Sequence, residues 1–448
     1  MVSYNTRQQI FSLNMASNVV AAIKEDQQDL QALATEKLNA IFSNPDVQAL
    51  IGKWELVWGA AVYQHDGQII DSQYADSVMY MAKSLDSERS DRYVIAIAGT
   101  NPASLFGWAV EDFWVSKTRL WNQGRPWESD PEDQTTVGKR VSAGTSVGLR
   151  ILLEDMKSND KSLLDYLREQ MNNASKPVSI TVCGHSLGGA LSPTLALSLM
   201  DRRSDWDPES KATLLASPSA GATPGNDLFA EYYDSQLGDV TDRIWHYLDF
   251  VPHGWGQDTL EETKTFYNPY ITTTTLINLF VDLCLDLSER SGVIYKDICS
   301  KQEESFTTEY NPDAPNVLGN FTASFLSKLI ARMIFRFFDI NPTPDQINFL
   351  SEIIKPIIEE LMGISESSTA LDEQKIKIAV APYVQQIREK LPTEGLIAKK
   401  VAQEVENDII DILSSIGDFT KYLSQALYQH VDPYCEYLGI NEFMGLIS

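Results

Sequence analysis

Cysteine is scarce in this chain. Four residues, Cys183, Cys284, Cys299 and Cys435, are scattered along 448 positions. That is too few for a disulfide framework, and no C-x-x-C pair offers metal-ligand spacing; the usage fits synthesis in a reducing compartment. Long apolar runs are also missing. No charge-free apolar stretch reaches the ~18 residues of a membrane-spanning helix, so no transmembrane span is expected. The stretch Met1 to Gln9 lacks a basic region followed by an uninterrupted apolar core, so no secretory signal is read there, and export by another route is left open. Positive charge is in short supply: 36 Lys and Arg stand against 62 Asp and Glu, a net charge of -26. The field of such a chain repels nucleic acid and anionic bilayers, leaving neutral or zwitterionic partners.

Apolar residues, in contrast, make up 43% of the chain, enough for a large core. The length suits about three average domains, or one core of ~250 residues with insertions. Residues 1–50 read as a helical segment, with Val19 to Ile23, Leu30, Leu33, Leu38, Ile41 and Phe42 spaced to form an apolar face. Strand-like runs follow at 55–63, 93–98, 178–183, 212–216 and 243–248. Helical stretches are expected near 142–157, 161–173 and 187–201. Strands alternating with helices imply an α/β fold with a mostly parallel, buried sheet that binds ligands at the carboxyl ends of its strands. Beyond about residue 270 the pattern turns helical. Thr343-Pro344-Asp345-Gln346 forms a capping-box start, Pro356 and Pro382 are expected to kink later helices, and 365–373 reads as a loop.

The most informative stretch is Gly184-His185-Ser186-Leu187-Gly188-Gly189, directly after the apolar run 178–183 and before the small apolar run 190–200. A strand, a sharp turn and a helix hold a serine hydroxyl at the tip of a strained turn facing a cleft. Gly184 and Gly188 stand where the crossing strand and helix leave no room for a β-carbon. The helix amides that follow favour a developing negative charge. The alternative, a glycine-rich helix start serving only packing, is disfavoured by the strand before and the helix after.

A serine nucleophile needs a base and a carboxylate that orients it. In strand–turn–helix sites the chain order is serine, acid, histidine. Of the five histidines, His65 and His185 do not follow Ser186, and His246 falls inside the expected strand 243–248. Asp249 stands where that strand ends, the place from which an orienting acid emerges, although aspartate is also common in plain strand-end turns. His253, four residues on along the same loop, would struggle to lie between that acid and the serine. His430 is the candidate base and His253 the alternative. Choosing His430 requires the intervening chain to fold away and return, which loop-closure entropy tolerates because it grows only logarithmically with length.

Taken together these segments resemble the class 3 lipases, the fungal-type triacylglycerol lipases of α/β-hydrolase fold. Residues 184–189 look like their nucleophile elbow. Ser217 to Gly221 and Gly225 to Phe229 resemble the segment after the next strand, and Asp249 to His253 is similar to their acid loop. His430 with Tyr437 to Ile440 looks like their terminal histidine loop. The resemblance runs over about 55–260 and 425–448. It implies a second oxyanion donor just after a strand that ends in glycine, here Thr100 after Gly99, acting with the Leu187 backbone amide. Ala98 stands where many relatives carry arginine, and the stretch to Trp108 is longer than usual. Glu111 or Asp112 is the carboxylate expected to support the elbow.

Four of the nine tryptophans, Trp108, Trp114, Trp121 and Trp127, lie close together on what the resemblance makes the roof of the site. Indole rings suit acyl chains or a lipid interface; the alternative is that these rings are buried. Phe325 to Phe338 carries Lys328, Arg332 and Arg336 on one stripe of an apolar helix. That helix is read either as lying on a lipid surface or capping the acyl site, or as a buried helix with snorkelling ends.

The expected architecture is thus an α/β-hydrolase fold with a mostly parallel central sheet and a large C-terminal helical insertion before the catalytic histidine. It divides into 1–50 (helical segment), 51–270 (core), 271–424 (helical insertion or cap) and 425–448 (return to the core). The expected activity is hydrolysis of carboxylic esters of acyl lipids by Ser186, His430 and Asp249, with Thr100 and Leu187 at the oxyanion and with no metal or organic cofactor. Phospholipase A activity, or a lipid-binding or toxin-like role on a hydrolase scaffold, are the rival readings.

Overall fold

The computed structural model describes residues 3–65, 74–86, 91–99, 114–133, 135–314, 323–337, 343–365, 411–412 and 414–447. Of the residues singled out above, Thr100, Trp108, Glu111, Asp112, Phe338 and Pro382 lie outside this set, as does 366–410. The chain forms two compact units. The first comprises 1–257, 287–308 and 430–448, and the second 258–286 and 309–429. Residues 1–50 therefore group with the first unit, and so do 287–308, which had been expected within the insertion.

The first unit is built on a five-stranded sheet. Its strands are β1 (Trp54–Tyr63), β2 (Ser77–Ser84), β3 (Arg92–Ile97), β6 (Val178–His185) and β7 (Ala212–Ser219), side by side in that order. The pairs β1–β2 and β2–β3 are antiparallel, whereas β3–β6 and β6–β7 are parallel. A short connector, 85–91, can only return the chain antiparallel; the parallel pairs have helical crossovers between them. Two further strands, β4 (Thr118–Leu120) and β5 (Arg140–Ser142), form a separate antiparallel pair.

Alternation along the strands divides the interior into two cores. Met79, Met81, Tyr93, Ile95, Ile97, Ile180 and Val182 enter one of them. There they meet the faces of α4 (Ala143–Arg150), α5 (Leu163–Asn173) and α6 (Leu187–Asp201). Val78, Tyr80, Ala82, Val94, Ala96 and Cys183 enter the other, with α1 (Thr6–Ala16), α2 (Gln27–Ser43), α3 (Pro45–Ile51) and the returning residues Tyr434, Leu438 and Phe443. The period of two puts successive side chains on opposite faces, and both faces are covered. Helix α1 starts on a capping box in which Asn5 and Gln8 exchange hydrogen bonds of 3.0 and 2.9 Å. Helix α6 is buried from Leu187 to Leu199, as its small and apolar residues allow.

The pattern for 243–248 predicts a strand, yet only isolated parallel bridges form, Ala216 with Thr241 and Ser219 with Ile244. Asp242 and Ile244 donate to Ala216 and Pro218 of β7 at 2.9 Å each, while the amides on the other side are taken by side chains of the 302–305 segment. The amides of Arg243 and Tyr247 bond Gln302 Oε1 at 3.2 Å and Glu304 Oε2 at 3.0 Å. Strand β2 was not read from the sequence; its burial is almost continuous, so it shows little of the alternation that marks a half-exposed strand.

The roof reading of the tryptophans fails at Trp121. Its ring is 1% exposed, stands 5.0 Å from Phe229, and donates from Nε1 to Asp201 Oδ2 at 2.6 Å. Trp127 packs half-buried against the same core. A large ring with its one polar atom satisfied gains more from burial than from an interface.

Among the described residues the second unit is largely helical. Its elements include α7 (Thr275–Glu289) through Asp286, α8 (Ala323–Phe337), α9 (Pro344–Ser365) and the first part of α10 (Ile416–Leu438). The expected capping box is present: Gln346 N donates to Thr343 Oγ1 at 3.3 Å, and Thr343 N to Gln346 Oε1 at 2.8 Å. The apolar residues Leu326, Leu329, Ile330, Met333, Ile334 and Phe335 of α8 are buried. Arg336 pairs with Asp286 at 2.7 Å. This is the buried helix with charged ends, not an apolar face turned to lipid. Among the described residues no helix is long and apolar enough to cross a membrane.

Trp121→Ala should destabilise the first unit by about 3–5 kcal/mol, the range for deleting a large buried ring. Trp127→Ala should shift the transition far less. Urea unfolding followed by far-UV circular dichroism checks this, and an unchanged midpoint for Trp121→Ala would contradict the burial argument.

Candidate active site

Strand β6 ends at His185 and α6 begins at Leu187, so the whole turn falls on Ser186. Its backbone is at φ 62° and ψ -121°, a conformation that a residue with a side chain holds only when its surroundings enforce it. They do so by close backbone contact. A β-carbon on Gly184 would overlap the carbonyl of Gly188. One on Gly188 would meet the carbonyls of Ile97 and Ala98, and one on Gly189 the carbonyl of Ser219. These glycines are present for proximity. Ser186 N donates to Ser219 O at 3.0 Å, which ties the turn to the end of β7. Leu187 is the first residue of α6, whose opening amides have no intrahelical acceptor and point toward the turn.

Asp249 is fully buried, and His430 is 3% exposed. His430 Nδ1 lies 3.0 Å from both Asp249 oxygens. The same carboxylate accepts from Tyr434 Oη at 2.7 Å and from the Val251 amide at 3.0 Å. Burial by itself would raise the Asp249 carboxyl, but the charge and hydrogen bond of His430, with Tyr434 assisting, hold it below its ordinary value. Burial, with the Asp249 charge, pushes the Tyr434 hydroxyl well up, so it remains a donor. A carboxylate only accepts, and His430 Nδ1 therefore carries the hydrogen, which leaves the lone pair of the neutral ring on Nε2. Among the described residues Ser186 Oγ and His430 Nε2 are both buried without a hydrogen-bond partner, so they do not bond each other here. A buried polar atom left so is costly and is characteristic of a site that keeps its groups for a ligand.

The other histidines are committed elsewhere. His253 donates from Nε2 to Tyr247 O at 2.8 Å, and burial lowers its proton affinity. His246 lies beside Thr308 Oγ1 at 3.2 Å, fully buried. His65 is exposed on a loop. The structure brings Asp249 and His430 into contact and leaves His253 out. It also corrects the loop expected around His430, which stands inside helix α10.

Three supporting residues went unnoticed in the sequence. Tyr434 lies one helical turn after His430, a spacing that would have shown it had the segment been read as a helix. His185 Nε2 meets the carbonyl of His430 at 2.8 Å. Asn18 accepts from the Gly99 amide at 3.1 Å, at the point where the chain leaves β3 beside Ser186; nothing local in the sequence links it to that site.

The model of the class 3 lipase family matches residues 94–258. The chain carries a class 3 lipase domain. The crystal structure of M37 lipase is similar to this chain at 27% identity with a TM-score of 0.59, covering 77% of this chain and 96% of that one. A mutant form of MDLA from Penicillium cyclopium is 20% identical (TM-score 0.34), covering 55% of this chain and 72% of its own. Lipase II from Rhizopus niveus is also 20% identical (TM-score 0.34), covering 58% and 78%. No curated protein sequence matches the chain. The class 3 lipase domain has the α/β-hydrolase fold, and family and fold are those of hydrolases acting on esters. The family match contains Ser186, Asp249 and His253 but stops short of His430; the hydrogen bonds, not the match, join His430 to Asp249.

Because Asp249 sits below its unfolded value, its contribution to stability is present above about pH 3.9 and is lost as pH falls through the folded value. Tyr434→Phe removes a donor to the charged form and raises that folded value. Acid unfolding of the variant should therefore begin at a higher pH than in the unaltered protein. Circular dichroism along an acid titration tests this, and coincident curves would contradict it.

Proposed function

We propose that this protein is a serine carboxylic-ester hydrolase acting on acyl lipids of the triacylglycerol type. The observation that carries this reading is the buried pair His430–Asp249 in the same compact unit as a serine held at φ 62° between β6 and α6. In the proposed reaction His430 Nε2 takes the Ser186 hydroxyl proton while Oγ bonds to the ester carbonyl carbon. The carbonyl π electrons move onto oxygen, where the Leu187 amide and Thr100 receive the negative charge. Collapse of this tetrahedral species breaks the carbon–oxygen bond to the alcohol, which leaves with the proton from His430. Water then repeats the sequence on the acyl-serine and releases the fatty acid. Asp249 stays ionised throughout; it holds the tautomer and stabilises the imidazolium. The acidity of the chain is consistent with a neutral substrate.

Ser186→Ala and His430→Ala should abolish hydrolysis of p-nitrophenyl butyrate in folded protein. Asp249→Asn should lower kcat by about 10⁴, as expected when the wrong tautomer is favoured. Retained turnover in Ser186→Ala would overturn the mechanism. Triolein emulsions and phosphatidylcholine vesicles, assayed side by side, decide the substrate: release of fatty acid from triolein supports the triacylglycerol reading, and release from the phospholipid alone replaces it with phospholipase A.

A further inference from the structure

His185 is the neighbour of the nucleophile in sequence, and its side chain is turned away into the protein. Its ring is fully enclosed. Phe11 stands edge-on at 6.0 Å, Tyr434 edge-on at 5.2 Å, and the His430 ring lies tilted at 4.8 Å. Both ring nitrogens are engaged: Nε2 meets the backbone carbonyl of His430 at 2.8 Å and Nδ1 meets Ser219 Oγ at 3.1 Å. A carbonyl only accepts, so Nε2 carries the hydrogen and Nδ1 of the neutral ring is an acceptor; the single Ser219 hydroxyl hydrogen lies within reach of both that nitrogen and the Gly184 carbonyl at 3.2 Å. We propose that His185 is a positioning residue for the base, clamping the His430 backbone to the nucleophile strand so that the distance between Ser186 and the His430 ring is set from both sides. The proposal rests on the reading of Ser186 and His430 given above.

Two physical points support it. The first is that helix α10 is weakened where it carries His430. Pro433 has no N–H, so the Gln429 carbonyl receives no hydrogen bond from residue 433. The His185 bond falls in the same turn, on the His430 carbonyl, and ties that turn to the nucleophile strand. The second is that the donor does not switch. Burial, reinforced by the nearby His430, lowers the His185 value to about 3. It stays neutral in one tautomer at any pH where the base can work, so the clamp keeps its polarity throughout. Ser219, at the end of β7, extends the connection: its amide-side neighbour in the sheet is His185 itself, and its carbonyl holds the Ser186 amide. One residue thus links β6, β7 and the returning helix.

The test compares two substitutions of similar size. Glutamine at 185 carries its amide nitrogen out to the place of Nε2, whereas asparagine reaches only the place of Nδ1. On soluble p-nitrophenyl butyrate, His185→Asn should lower kcat by about 10- to 100-fold with KM unchanged, the scale of a slightly misplaced catalytic group. His185→Gln should recover most of that loss, and Ser219→Ala should fall between. Equal kcat in the Asn and Gln variants, or a loss seen only in KM, overturns the proposal. If neither His185 variant folds, unaltered kcat in Ser219→Ala overturns it alone. Ser186→Ala separates the two levels: turnover retained there removes the triad reading, whereas turnover lost there with full activity in His185→Asn removes only the positioning role.

Discussion

The contact between Asp249 and His430 is the one on which the rest depends. A carboxylate removed entirely from water is tolerated only when its charge is matched and its lone pairs are filled. Here the donors are His430 Nδ1, Tyr434 Oη and the Val251 amide. Two of the three come from a helix whose residues lie more than 180 positions further along the chain. If that segment did not return, Asp249 would be left buried with one backbone donor. The electrostatic demand of a single carboxylate therefore ties residues 430–434 into the first unit, to which 430–448 belong.

A second constraint is steric. The turn at Ser186 brings β6, α6, the end of β3 and the end of β7 so close that β-carbons at 184, 188 and 189 would overlap backbone atoms. The close approach explains why the same few residues appear repeatedly as partners. Ser219 receives the Ser186 amide and contacts the His185 ring, and Gly99 abuts the serine while bonding Asn18. The N-terminal helix is part of this arrangement. Asn14 donates to the carbonyl of Ile97 at the end of β3, and Phe11 closes one side of His185. Residues 1–50 are thus a layer of the core that steadies the strand ends around the serine.

Much of the site was legible beforehand because it is encoded locally. The elbow has a short motif with a strand before and a helix after. Asp249 follows an apolar run, and the small number of histidines leaves few bases to choose from. What was not legible has a common cause. His430 was expected on a loop because the residues around it resemble a loop in relatives, yet they lie in a helix whose buried face is set by the sheet beneath it. The run 243–248 is apolar enough for a strand, but only Ile244 bonds β7, and the amides of Arg243 and Tyr247 on its other side bond side chains of 302–305 in place of a further strand. Trp121 was grouped with a roof by its closeness in sequence to other tryptophans, while in space it belongs with Phe229 and Asp201.

The sequence by itself determined the class of fold and named a candidate serine, a candidate acid and a short list of candidate bases. Those features follow from apolar periodicity, glycine spacing and residue scarcity, and each is read over a few neighbouring positions. Tertiary structure alone decided which histidine meets Asp249, that His253 is held by the Tyr247 carbonyl, and that His185, Tyr434 and Asn18 bond to the His430 carbonyl, Asp249 and the Gly99 amide. Those are contacts between segments far apart in the chain. A hydrogen bond depends on a few tenths of an ångström and on the direction of a lone pair, and no local pattern carries that information.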